Sequence, residues 1–159
     1  MAVTFGNNAF DNSTISPVSY NNDGNFLVIG IDSTTNNITA VTYNGVAMTQ
    51  VGSPQYHTVY TRYLTVWSLL NPTTGVNNIA ITGGSNSYLN IQSVSGVNQS
   101  TPYTGLNISS GTSATPSIAV TTTINNAYVY AFSLSGGTAT AGANTTMVIN
   151  NSGAALFTF

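Results

Sequence analysis

Charge is almost missing from this chain. Of its 159 residues, 3% are Asp, Glu, Lys or Arg, against about 25% in an ordinary soluble domain. The full set is Asp11, Asp23, Asp32 and Arg62, with His57 the single imidazole, and there is no Glu, Lys or Cys. Each absence excludes a chemistry. One Arg cannot neutralise the row of phosphates on which nucleic-acid binding depends, so no nucleic-acid partner is expected. Without Cys there are no disulfides, thiolate nucleophiles or thiolate zinc ligands. Without Lys there is no Schiff base, P-loop or Lys–Asn cross-link. No apolar run approaches the roughly 18 residues of a spanning helix, and no basic amphipathic stretch suits a membrane surface, so membrane insertion is not expected.

Asn, Ser, Thr and Gly take the place of charge and make up about half the chain. Uncharged polar groups hydrate a surface without a long-range field. They also omit the like-charge repulsion that keeps most proteins monomeric. Composition bias alone accounts for such a surface; the functional reading is a durable exterior protein that packs against copies of itself. With 42% hydrophobic residues and a mean hydropathy of +0.14, the chain is too apolar for disorder. Its length suits one domain over residues 1–159.

The pattern is strands and turns throughout. Apolar or alternating runs fall at 2–5, 15–20, 26–31, 38–43, 46–51, 60–70, 77–82, 88–97, 118–122, 127–134, 145–149 and 154–159, bounded by Gly, Asn and Ser. No window carries a helical apolar stripe, while Thr, Val, Ile and Tyr abound. Asn44-Gly45 between two such runs predicts a tight hairpin, because both turn residues need positive φ. The runs 26–31 and 127–134 are apolar on both faces, as strands between packed layers are. Pro17 inside the 15–20 run marks an edge strand. Residues 96–117 read as a crossover with a weak strand around 106–108. The expected fold is all-β: a two-sheet, jelly-roll-like β-sandwich of about 10–12 strands. Trp67 is expected in one inter-sheet core with the 26–31 and 127–134 strands.

Candidate chemistry is thin. There is no G-x-S-x-G elbow and no pair of carboxylates placed across a bond, so no catalytic residue and no cofactor are assigned. His57, between Tyr56 and Tyr60, reads as structural or solvated. Asn21-Asn-Asp-Gly-Asn25 offers hard oxygens in a turn, but one carboxylate makes a weak cation site and Asp-Gly is a plain turn signal, so no metal is assigned. Tyr56, Tyr60 and Trp67, set among Asn and Ser, suit a glycan platform, since sugars stack on aromatic faces without needing charge; strand propensity explains the same residues. Six Asn-x-Ser/Thr sequons occur, no more than the abundance of Asn, Ser and Thr produces by chance. Met1-Ala-Val-Thr-Phe5 lacks the basic and apolar regions of a secretory signal, so either a signal has been removed or none is used, as in a virion.

Three stretches carry a resemblance. Ile38-Thr-Ala-Val-Thr-Tyr-Asn-Gly-Val-Ala-Met-Thr-Gln-Val-Gly52, Tyr63-Leu-Thr-Val-Trp-Ser-Leu-Leu-Asn-Pro-Thr-Thr-Gly75 with Asn77-Asn-Ile-Ala-Ile-Thr82, and Val94-Ser-Gly-Val-Asn-Gln-Ser-Thr-Pro102 together resemble an uncharacterised β-sandwich domain of large bacterial surface proteins and phage structural proteins. The resemblance brings no catalytic residues. It implies one more hydrophobic strand than follows here, and hence a sandwich completed by a strand from a neighbouring subunit. The exchanged element would lie in residues 1–10, with Val3 and Phe5 filling the neighbour's groove; pairing within the chain's own sandwich is the alternative. The expectation is a self-associating structural subunit, a homo-oligomer or polymer, in an extracellular filament or fibre, on a cell surface or on a virion exterior. A carbohydrate-binding or adhesion module is the alternative.

Overall fold

A computed structural model describes residues 2–12, 16–85, 87–103, 107, 119, 121, 129–134, 140, 146–151 and 154–158. Among the described residues there are twelve strands and no helix. They are β1 (Thr4–Asp11), β2 (Val18–Asn22), β3 (Phe26–Ser33), β4 (Ala40–Tyr43), β5 (Val46–Ala47), β6 (Thr49–His57), β7 (Arg62–Leu70), β8 (Gly75–Thr82), β9 (Tyr88–Ser95), β10 (Tyr130–Leu134), β11 (Thr146–Asn151) and β12 (Ala154–Thr158). A five-stranded sheet in the order β1-β9-β3-β7-β6 packs on a four-stranded sheet in the order β2-β8-β4-β5. Every ladder in both is antiparallel. The fold is a β-sandwich, as its strand pattern predicts. The strand expected at 118–122 and the weak one around 106–108 lie outside the described residues, apart from positions 107, 119 and 121.

Alternation explains the core. On β3, Leu27, Ile29 and Ile31 share a face with Trp67 and with Leu89 and Ile91 of the flanking strands. That face meets Val18, Tyr20, Val41, Tyr43, Met48 and Ile79 from the four-stranded sheet. Strands β2 and β8 keep one solvated face, so Val18 and Ile79 are buried while Ser19, Asn78 and Ala80 are exposed. Strand β3 is buried at every position. Its other face, with Phe26 and Val28, joins Val94 beneath Tyr130 and Phe132 of β10. That strand belongs to a separate three-stranded sheet, β10-β12-β11.

This layering corrects one expectation. Trp67 and β3 do share the inter-sheet core, but β10 packs on the opposite face of the central sheet. Continuous apolar runs signal burial on both faces, not which neighbour supplies each cover.

Turn chemistry sets the remaining geometry. Asn44 and Gly45 take φ of 49° and 76° and close the β4–β5 hairpin through Tyr43↔Val46. Met48 N–H then donates to Val41 O at 2.8 Å, and the chain crosses from one sheet to the other. The 46–51 run is therefore split between sheets. Strand β2 lies at a sheet edge and begins just after Pro17, where a missing N–H costs no ladder bond.

Candidate functional site

The β6–β7 hairpin gathers most of the chemistry-bearing side chains. Its ladder pairs Tyr56 with Tyr63 and His57 with Arg62, and Thr61, at φ 50°, closes the turn. Alternation sends Tyr56 and Tyr63 to one face, their ring centroids 4.7 Å apart, and His57 and Arg62 to the other. The His57 ring lies 4.7 Å from that of Tyr60, and Tyr60 N–H donates to His57 Nδ1 at 3.3 Å. The tip is exposed: Tyr56 keeps 44%, Val59 57% and Tyr60 42% of its surface.

Behind the tip lies an ion pair. Arg62 Nε donates to Asp32 Oδ1 at 2.6 Å, and Nη2 donates to the Asp32 carbonyl at 3.4 Å. The guanidinium also sits 4.6 Å from the Tyr88 ring centre, and Tyr88 stacks on Phe10. Asp32 is 2% exposed and Arg62 13%. Burial pushes the Asp32 carboxyl above its ordinary value, and the Arg62 hydrogen bond and charge offset only part of that. The pair joins residues thirty positions apart, which no local motif announces.

A second polar cluster secures β1. Its ladder with β9 is interrupted between Phe5 and Asn8. Tyr20 reaches into this bulge from the four-stranded sheet; its hydroxyl donates to Asn7 O at 2.5 Å and accepts Ser93 N–H at 3.0 Å. Gln92 Nε2 donates to Gly6 O and Asn7 O at 3.1 and 3.0 Å. The Asp23 carboxylate accepts the Asn7 N–H at 2.8 Å and the Ser93 hydroxyl. Burial works against that charge, but the hydrogen bonds from Ser93, from Asn7 and from its own backbone outweigh it and hold the carboxyl below 3.8. The turn that resembles a cation loop therefore serves as a clasp. Among the described residues, no three His, Cys, Asp or Glu side chains come together.

The remaining sequence expectations sort by burial. Tyr56 and Tyr60 are brought together at the exposed tip, but Trp67 is not with them. It is 5% exposed in the sandwich core, where its indole N–H donates to Thr65 Oγ1. Trp67 is thus not brought together with Tyr56 and Tyr60: it lies within β7, with its side chain on the face turned to the core. Val3 and Phe5, the residues expected to enter a neighbour's groove, lie within the chain's own fold. Phe5 pairs with Val94 inside the chain's own sheet, edge-on to Tyr130 at 5.4 Å, and Val3 packs on the same apolar cluster. The bulge lets β1 run on through Gly6 and Asn7 to Asp11. Sequence reasoning missed the clasp, because Asn7, Asp23 and Ser93 meet only through long-range pairing.

The chain matches no family model, no curated protein and no solved structure.

Proposed function

We propose that this chain is a non-enzymatic structural subunit that associates with copies of itself in an exterior assembly, either an extracellular filament or fibre or the surface of a virion. One observation carries the reading. The sole guanidinium, mostly buried, is paired with one of the three carboxylates, which is fully buried, so Asp11 and Asp23 are the side-chain formal charges left elsewhere on the chain. Asp23 is itself bound up in the β1 clasp. A surface built of Asn, Ser and Thr brings copies together with little electrostatic cost and little dependence on salt. The resemblance to domains of bacterial surface and phage structural proteins points the same way. Sedimentation velocity over a concentration series, with electron microscopy of the same samples, tests it. The expected result is concentration-dependent polymers or particles that change little with added NaCl; a monomer at every concentration overturns the reading.

A second reading, glycan binding, is favoured by the exposed Tyr56, Val59 and Tyr60 at the hairpin tip. A neutral saccharide fits a patch whose nearest charge, Arg62, is engaged with Asp32 and Tyr88. Loss of glycan-array signal in Tyr60→Ala, with unchanged thermal stability, would favour this reading.

A further inference from the structure

We infer that Tyr56 and Tyr63 form an oxidative cross-linking site: given a peroxidase and hydrogen peroxide, the two phenols couple to dityrosine and staple the β6–β7 hairpin to itself. Both rings belong to one chain, so the inference holds whether or not copies associate.

The ladder brings the pair together. Tyr56 lies directly opposite Tyr63, which sets their Cβ atoms about 5 Å apart on one face of the sheet. Their ring centroids are 4.7 Å apart and their planes meet at 39°, so the two rings are in contact. The His57↔Arg62 pair and the turn at Thr61, with φ of 50°, close the hairpin just beyond them. Neither ring can leave the other while that hairpin holds.

Access separates this pair from the other tyrosines. Among the described residues, Tyr56, Tyr60 and Tyr103 are exposed, whereas Tyr20 and Tyr43 are buried in the core. The Tyr60 ring meets His57, and the Tyr103 ring meets Phe26 at 6.4 Å. Of the three exposed rings, Tyr56 is the one whose neighbour among the described residues is a second phenol. Composition gives the site its weight. With no Cys and no Lys, the chain cannot be tied by disulfides or through amines. Tyrosine, present nine times, is left as the side chain that oxidation joins to its own kind.

The step balances simply. Each phenol gives one electron and its hydroxyl proton to the oxidant, and one hydrogen peroxide becomes two waters. The unpaired electron of each phenoxyl spreads to the ring carbons beside the oxygen-bearing carbon, and two such carbons join. The hydrogen on each joined carbon then moves to its own oxygen as a proton, which restores both phenols. Joining requires the rings to slide from offset contact to edge against edge, a movement open to the exposed Tyr56 ring. The product is two hydrogen atoms lighter, and its carbon–carbon bond resists thiol reductants.

The test treats the purified, folded protein with a peroxidase and hydrogen peroxide, with free tyrosine in a parallel tube to show that the oxidant couples phenols. Dityrosine fluorescence and tandem mass spectrometry of the digested monomer band read the result. The expected product is a monomer two hydrogen atoms lighter, its link mapped to Tyr56 and Tyr63. The link should vanish in Tyr56→Phe and in Tyr63→Phe and persist in Tyr60→Phe. Each variant loses one hydroxyl, and circular dichroism checks that it keeps the parent fold; mapping in the parent stands without them. An oxidised monomer with no Tyr56–Tyr63 link overturns the proposal. So do links that run only between chains through Tyr60 or Tyr103, or monomer dityrosine that survives in Tyr56→Phe.

Discussion

Arg62→Met tests the central claim that the only cation is spent inside the protein. Methionine keeps much of the apolar stem but removes the donors to Asp32 Oδ1 and to the Asp32 carbonyl, with the charge over Tyr88. Asp32, 2% exposed, is left as an uncompensated buried carboxylate. Breaking one side of a buried pair costs about 3–5 kcal/mol, which in a domain of this size lowers Tm by about 6–20 °C. The double variant Arg62→Met/Asp32→Leu removes both charges and should recover most of the loss, since apolar replacement of a whole buried pair is often near neutral. The pH dependence follows with a definite sign. The folded Asp32 carboxyl titrates above its ordinary 3.8, so the protonated form favours the fold. Stability from this group is fully present below the unfolded value and is lost as pH rises through the folded one. Removing Arg62 raises the folded value further, so the deficit of Arg62→Met should shrink as pH falls toward 4. Urea denaturation of the parent, both single variants and the double variant at neutral pH and near pH 4 gives the complete cycle. A loss below about 1 kcal/mol with additive single effects would mean the pair is solvent-screened and would refute the reasoning.

Three further outcomes are expected. Trp67→Ala should cost about 3–5 kcal/mol in chemical denaturation, the range for truncating a buried large aromatic; a normally stable variant would put Trp67 outside the core. Tyr20→Phe removes the hydroxyl that bridges Asn7 O and Ser93 N–H and should cost about 1–3 kcal/mol, with faster amide exchange at Ser93 than at Ile29; unchanged Ser93 protection would deny the clasp. Asp23 is held below its ordinary value, so its contribution is present above the unfolded value and lost as pH falls through the folded one. Amide protection at Asn7 should therefore drop on acidification in the parent protein and be low at all pH in Asp23→Ala.

Much of the sandwich is legible in residue order. Asn44-Gly45 specifies its turn by φ alone, and Leu27, Ile29 and Ile31 announce a buried face by alternation. The errors fall where a strand survives an interruption. Gly6-Asn7 and Gly52-Ser53-Pro54 read as breaks, yet both lie within strands, at register shifts in β1 and β6. A bulge needs the same small or turn-forming residues as a loop end, so local chemistry cannot separate them. At the candidate site, the exposure of Tyr56 and Tyr60 follows from their place at a hairpin tip. The burial of Trp67 depends on the layer that covers β7, and the Asp32–Arg62 pair on the β3–β7 register, both long-range facts.

The placement of Arg62 has a consequence for proteolysis. With no Lys in the sequence, the chain offers trypsin one peptide bond, Arg62–Tyr63. That bond lies in the β6–β7 ladder, next to the His57↔Arg62 and Tyr56↔Tyr63 pairs, with its guanidinium held by Asp32 rather than presented to a specificity pocket. Cleavage must wait for the hairpin to open, so the rate of tryptic digestion reads out the free energy of that one local opening. Outside a cell, among proteases that seek basic residues, such a protein exposes almost nothing to be cut.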